Sequence, residues 1–227
     1  MRMGGIEWAL LLLLSLLWGG SFFFATVAVA EIPPLTLALG RVAIASLALL
    51  AVLRLRGQAM PASASTWRAF LVMGALNNVV PFSLLFWAQT QIPSGLASIL
   101  NATTPLWAVL LAHLLTTDER LTALRVAGVL VGIAGVAAML GESPGAGLAT
   151  PVLAEFACLV ATFSYALAGI SGRRFKGLGV APIATASGQL IAATLLLLPL
   201  ALVVDPPWQL ATPSPEALAA LLALALV

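Results

Sequence analysis

Apolar runs of about 20 residues recur along this chain with connections of only a few residues between them, and no other feature limits its fold as strongly. At ~1.5 Å of rise per residue, a helix needs ~20 mostly apolar residues to cross ~30 Å of hydrocarbon. The runs predict spans at Trp8–Ala30, Pro34–Leu53, Arg68–Gln89, Ser94–Thr116, Leu121–Leu140, Pro151–Ile170 and Pro182–Val204. An eighth begins near Glu216 and reaches Val227 after 12 residues, or about 18 Å of helix. That is too short to cross, so the sequence reads as truncated inside an eighth helix. Charged residues make up only 8% of the 227, against roughly 25% in a soluble domain. The fold class expected is an all-α polytopic membrane protein with the lipid bilayer as its solvent.

Basic residues set the direction of the spans, because Lys and Arg are retained in short cytoplasmic loops. Arg2 precedes the first span. Arg54, Arg56 and Arg68 follow the second, Arg120 and Arg125 the fourth, and Arg173, Arg174 and Lys176 the sixth. The connections around Glu31, Gln91, Glu142 and Asp205 carry none. The N-terminus is therefore expected in the cytoplasm, and only Arg41 breaks the pattern. The net charge of +2 comes from these loops, so nucleic acid is not an expected partner. A secretory signal competes for the first span, since Arg2 precedes an apolar run and Ala28-Val29-Ala30 has the small residues of a cleavage site. The run of 23 residues exceeds the roughly 7 to 15 of a signal core.

Displaced so that Glu7-Trp8 falls on Glu155-Phe156, the chain also aligns Pro34 with Pro182 and Arg41 with Gln189. Five spans separate the copies, and an odd number of crossings runs the second opposite to the first. That is the inverted repeat of many transporters, unless the match is chance similarity among Leu/Ala-rich helices.

From Gly95 to Gly141 the chain reads GLASILNATTPLWAVLLAHLLTTDERLTALRVAGVLVGIAGVAAMLG. This resembles the end of an EamA domain of the drug/metabolite transporter superfamily. The likeness rests on Pro105 in the fourth helix, Glu119-Arg120-Leu121 at the turn, and Gly128, Gly132 and Gly135 in the fifth. Trp18-Gly19 of the first helix, Arg41 of the second and Tyr165 of the sixth extend it over essentially the whole chain. The resemblance implies ten helices in two inverted five-helix repeats around a central cavity. It divides this chain into a first repeat, 1–141, and an incomplete second, 150–227. It also implies export of amino acids or other small metabolites, here across the bacterial inner membrane.

Polar groups within the spans mark candidate binding or gating residues. Proline leaves the carbonyl of residue i−4 without its donor, so Pro81 is expected to free that of Asn77 and Pro105 that of Asn101. In hydrocarbon such a group must find another partner or face water. Asn78 lies beside the first break. Ser94, Ala97, Ser98, Asn101, Thr104, Pro105, Ala108 and Ala112 form a stripe of small and polar groups at helical spacing. The stripe suits a cavity wall, and it equally suits close helix packing.

Arg41 lies about 10 Å of helical rise inside Pro34, where an unpaired guanidinium is a functional candidate. Snorkelling to the outer surface is its alternative. Glu155 lies in the same outer half, and a pair of Arg41 with Glu155 is expected to anchor a zwitterionic or anionic substrate or to hold a gate. Trp8, Trp67, Trp87 and Trp208 fall near span ends as an aromatic belt. Trp18, Ser21, Trp107, Tyr165 and Gln189 fall deeper and join the substrate-facing candidates, with ordinary packing as their alternative. The spaced glycines of the fifth helix read as a close-packing face.

Other chemistries find little support. The lone Cys158 provides neither a disulfide framework nor a thiolate metal site, and no cofactor is expected. Gly141-Glu142-Ser143-Pro144-Gly145 fits the G-x-S-x-G pattern, but a loop lacks the strand-to-helix elbow, and the only histidine, His113, lies at the other end. The Asn101-Ala102-Thr103 sequon is buried mid-membrane, and the sole lysine lies in a loop. Catalytic residues are not expected, since no carboxylate cluster, metal-ligand set or nucleophile with its base falls at one depth. No acidic residue lies at mid-depth either, so proton coupling is absent or depends on groups beyond Val227. A channel and a non-transporting membrane assembly or receptor remain the rival classes to a transporter.

Overall fold

A computed structural model describes residues 4–116, 122–141 and 149–226, the side chains of residues 139–150 and 207 aside. Arg2, the Glu119-Arg120-Leu121 turn and the Glu142-Ser143-Pro144-Gly145 connection lie outside the described residues. Every regular element among the described residues is helical. The principal helices are α1 (Gly5–Val29), α2 (Pro34–Leu55), α3 (Ala64–Gln89), α4 (Ser94–Leu115), α5 (Ala123–Gly141), α6 (Ala149–Gly172), α7 (Pro182–Val204) and α8 (Pro215–Leu226). Six are long and apolar enough to cross a membrane. In α5 and α8 the apolar stretches, Ala123–Ala138 and Pro215–Leu226, are shorter.

Local chemistry sets the helix ends. Pro34 and Pro182 open α2 and α7, where a fixed φ suits the first turn and the missing N–H costs nothing. Gly57 closes α2 at φ 65°, a conformation in which a Cβ is strained. Its N–H bonds the Arg54 carbonyl and that of Gln58 the Leu53 carbonyl, at 2.9 and 3.0 Å, the paired bonds of a Schellman cap. Gly179, at φ 64°, ends the short Arg174–Gly177 turn in the same way.

Helix α3 packs against α2, α6 and α7, and α2 runs along α7. Leu37, Ala38 and Val42 of α2 share a core with Ala193 and Leu197 of α7, closed on one side by Ala25 and Ala28 of α1 with Ala217, Ala220 and Leu224 of α8. Close approach is concentrated between α3 and α7. A Cβ on Gly188 would lie 2.4 Å from the Phe70 ring, and one on Gly74 would lie 2.7 Å from the Gln189 carbonyl oxygen. The close-packing face expected on α5 is realised only in part. A Cβ on Gly132 would meet Leu106 at 2.8 Å, whereas Gly128 and Gly135 have nothing within 4 Å. Most of α5 is exposed, so those two glycines have no facing helix to admit.

At the end where the connections lack Lys and Arg, two carboxylates tie the bundle crosswise. Asp205, just past α7, accepts the Leu35 and Thr36 N–H groups at the start of α2, both at 3.0 Å. Glu31, just past α1, accepts the Ser214 N–H at 2.6 Å and its hydroxyl at 2.7 Å, while Ser214 Oγ accepts the Ala217 N–H at the start of α8. Each anion thus meets the positive end of a helix from another hairpin.

Candidate functional site

Helix α3 widens into a π-turn over Ala75–Val79, with the Val80 N–H reaching back to the Ala75 carbonyl. Pro81 follows immediately. In this wider register its missing N–H would have served the carbonyl five residues back, so the group left without a donor is Leu76, not Asn77 as α-helical spacing predicts. The Ser164 hydroxyl of α6 donates to that carbonyl at 2.7 Å. The Asn77 side chain is free to reach α7, where its Nδ2 donates to Gln189 Oε1 at 3.3 Å. Asn78 is 3% exposed, and its buried Nδ2 has no partner in the protein.

Helix α4 breaks at Pro105 into Ser94–Asn101 and Thr104–Leu115. Here the expected carbonyl, that of Asn101, is the one freed, and the Thr104 hydroxyl donates to it at 2.8 Å. The adjoining Thr103 hydroxyl meets that of Thr162 on α6 at 3.2 Å. Both breaks therefore lie against α6. The small-residue stripe divides at this point: Ala97 packs in a core with Ala154, Cys158 and Ala161, and Thr104, Ala108 and Ala112 line a cavity. Cavity wall and packing seam, alternatives in the sequence, are successive segments of one helix.

That cavity, of about 420 Å³, lies between α4, α5 and α6, lined by Thr104 and Tyr165, with Arg125 and Arg173 at its Arg-rich end. A second, apolar recess of about 290 Å³ is lined by Thr103, Leu106, Trp107, Ile133, Val136 and Leu159, among others. Trp107 packs edge-on against Phe163 at 5.5 Å, and its Nε1 is buried without an acceptor. The carboxamide oxygen of Asn101 is likewise unpartnered.

Arg41 does not pair with Glu155. Its guanidinium lies 4.2 Å from the centre of the Phe82 ring. Phe82 lies two turns from the end of α3 as Arg41 lies two turns from the start of α2, so the charge stays at the depth of its own backbone. Glu155 is 6% exposed, has an interaction of its own and lies near Cys158 on α6. The structure thus brings together Arg41 with Phe82 and Asn77 with Gln189, and Tyr165 and Thr104 line one cavity. Trp18, 65% exposed, and Ser21, whose hydroxyl donates to the Leu17 carbonyl of its own helix at 3.1 Å, stand apart from this group. Ser164, Thr162, Thr103 and Phe82 are additions that sequence reasoning missed. For the hydroxyls the available signal was the need of each proline break for a donor from a neighbouring span.

Comparison with known proteins bears on this arrangement. Residues 5–141 match the EamA-like transporter family. The "Uncharacterized inner membrane transporter YedA" of Escherichia coli K12 is 30% identical over 186 residues, covering 82% of this chain and 58% of its own. "Protein PecM" of Dickeya dadantii is 31% identical over 190 residues, 83% and 61% of the two chains. The "Probable terminal-alkyne amino-acid exporter" of Streptantibioticus cattleyicolor is 32% identical over 143 residues, 60% and 45%. The chain thus spans about six-tenths of the length of the first two. A solved crystal structure shares the fold with a TM-score of 0.68 at 24% identity, over 93% of this chain and 70% of that one.

Proposed function

We propose a transport function for this chain, which belongs to the EamA-like transporter family: it exports amino acids or related small metabolites from the cytoplasm by alternating access. The observation that carries the reading is the asymmetry between the two ends of the helices. A cavity of about 420 Å³ lies at the Arg-rich end, within the roughly 300–1,000 Å³ of small-molecule sites. At the opposite end Asp205 and Glu31 tie α7 to α2 and α1 to α8. A carrier in one of its two states presents such a pairing. Orientation with the Arg-rich end and the N-terminus in the cytoplasm follows the positive-inside rule.

The two segments 1–141 and 150–227 form an inverted pair in this reading. Pro34 and Pro182, which the internal alignment superposes, open α2 and α7, and these two helices pack along one another. The amino-acid exporter named among the relatives supports the substrate class for this chain.

The test is flux into vesicles holding the full-length protein, with amino acids screened with and without a pH gradient. Saturable uptake with counterflow is expected. Non-saturable flux would make the protein a channel, and a folded but inactive protein would favour an assembly or receptor role. Tags at Glu31 and Arg54 are expected on opposite faces of the membrane.

A further inference from the structure

We propose that the apolar recess beside Trp107 receives one arm of the transported molecule, which therefore carries a branched aliphatic or aromatic group. The inference deepens the transport reading and rests on it. The recess, of about 290 Å³, lies between α4, α5 and α6, walled by Leu106, Trp107 and Leu110 of α4, Ile133 and Val136 of α5 and Leu159 of α6. An apolar cavity of about 150 Å³ stays dry and takes up benzene. This one has room for an aromatic ring or a branched chain.

The polar side-chain atoms of its wall are withdrawn from it. Thr103, also on the wall, has its hydroxyl taken up by the Leu100 carbonyl at 2.7 Å and the Thr162 hydroxyl at 3.2 Å. The indole N–H of Trp107 is closed off from the surface, and its ring stands edge-on to Phe163. Thr103 lines the recess and Thr104, the next residue, lines the cavity; one turn on, Trp107 and Ala108 divide in the same way. The two spaces thus lie on adjoining faces of α4, starting at its break. The cavity side carries Thr104, Tyr165, Arg125 and Arg173. A small molecule polar towards the cavity and apolar towards the recess fits both, whereas a lipid chain would fit the recess alone.

The test measures binding to the purified full-length protein by thermal shift and competition, with alanine, leucine, phenylalanine, asparagine, glutamate and lysine as ligands. Asparagine matches leucine in shape without its apolar surface. Burying each methylene is worth about fourfold in affinity, so leucine or phenylalanine is expected to bind about tenfold or more tightly than alanine and asparagine. Val136→Phe, which fills the recess, is expected to bring leucine down to the level of alanine. Ile133→Ala, which enlarges it from the exposed side of α5, is expected to shift the preference from leucine towards phenylalanine. The second variant keeps the test decisive where the first fails to fold.

Protection by no member of the series, equal binding of leucine and asparagine, or a preference unchanged in both variants each overturns the assignment and leaves the recess to lipid. Flux in vesicles separates the two ideas. Saturable counterflow without side-chain preference removes the subsite and leaves transport, whereas side-chain-selective binding without flux leaves the subsite and removes transport.

Discussion

The Ser164 hydroxyl donates to the Leu76 carbonyl at 2.7 Å, supplying from α6 the hydrogen bond that Pro81 cannot make within α3. This single contact joins the π-turn, which presents Asn77 and Asn78, to the helix that carries Tyr165. Ser164→Ala would leave the carbonyl buried without a donor, at a cost of ~1 kcal/mol for a hydrogen bond between membrane helices. Ser164→Thr is expected to retain most of the stability. In a Pro81→Ala background, where residue 81 regains its N–H, Ser164→Ala should cost little. Unfolding of the four variants in detergent measures this coupling, and equal losses in both backgrounds would exclude it.

The glycines separate by what faces them. Gly188→Ala would drive a methyl to 2.4 Å from the Phe70 ring, and Gly74→Ala would drive one into the α7 backbone. Either is expected to lower stability by ~1–3 kcal/mol, the usual cost of overpacking. Gly128→Ala and Gly135→Ala meet open space, and a gain of up to ~1 kcal/mol from helix propensity is expected instead. Melting temperatures of the four variants decide this, and destabilisation at Gly128 or Gly135 would count against the described environment of α5.

That contrast shows what a linear pattern can tell. Spans were legible because crossing hydrocarbon is a demand on length and polarity, which any sequence window displays; Pro34 and Pro182 lie at the helix starts assigned to them. Arg41, Asn77, Tyr165 and Gln189 are half-buried on four different helices. Azimuth was not legible. Whether Arg41 faces Glu155 or Phe82 depends on which helices neighbour α2, and a glycine spacing marks room for a helix without saying that one is there. The π-turn was invisible for a related reason. It adds one residue to a turn without changing composition, and it moved the orphaned carbonyl from Asn77 to Leu76.

Acid should loosen the Arg-free end of the bundle. The N–H and hydroxyl of Ser214 hold the Glu31 carboxyl below its ordinary value of 4.5. A depressed carboxylate contributes stability that is fully present above the unfolded value and is lost as pH falls through the folded one. The loss therefore begins below about pH 4.5, and Glu216 in the first turn of α8 provides the control substitution. Unfolding followed against pH is expected to lose that component in Glu31→Gln and to keep it in Glu216→Gln. Asp205→Ala, which strips two N–H groups of α2 of their acceptor, is expected to cost ~1 kcal/mol, as loss of a helix cap does. Identical pH profiles for the wild type and Glu31→Gln would remove the Ser214 contact as a stabilising element.

Filling the cavity tests whether substrate uses it. Ala108 and Ala112 line it from α4 opposite Tyr165, so a tryptophan at either position occupies space that a small metabolite would need. Ala108→Trp in the full-length protein is expected to abolish counterflow while the protein still reaches the membrane and melts cooperatively. Tyr165→Phe keeps the ring and removes the hydroxyl, and losing one substrate hydrogen bond of ~1.4 kcal/mol corresponds to about tenfold in affinity. Its apparent KM should rise by that factor. A Tyr165→Phe protein with unchanged KM, or an Ala108→Trp protein with normal counterflow, would move the substrate path away from the α4–α6 face.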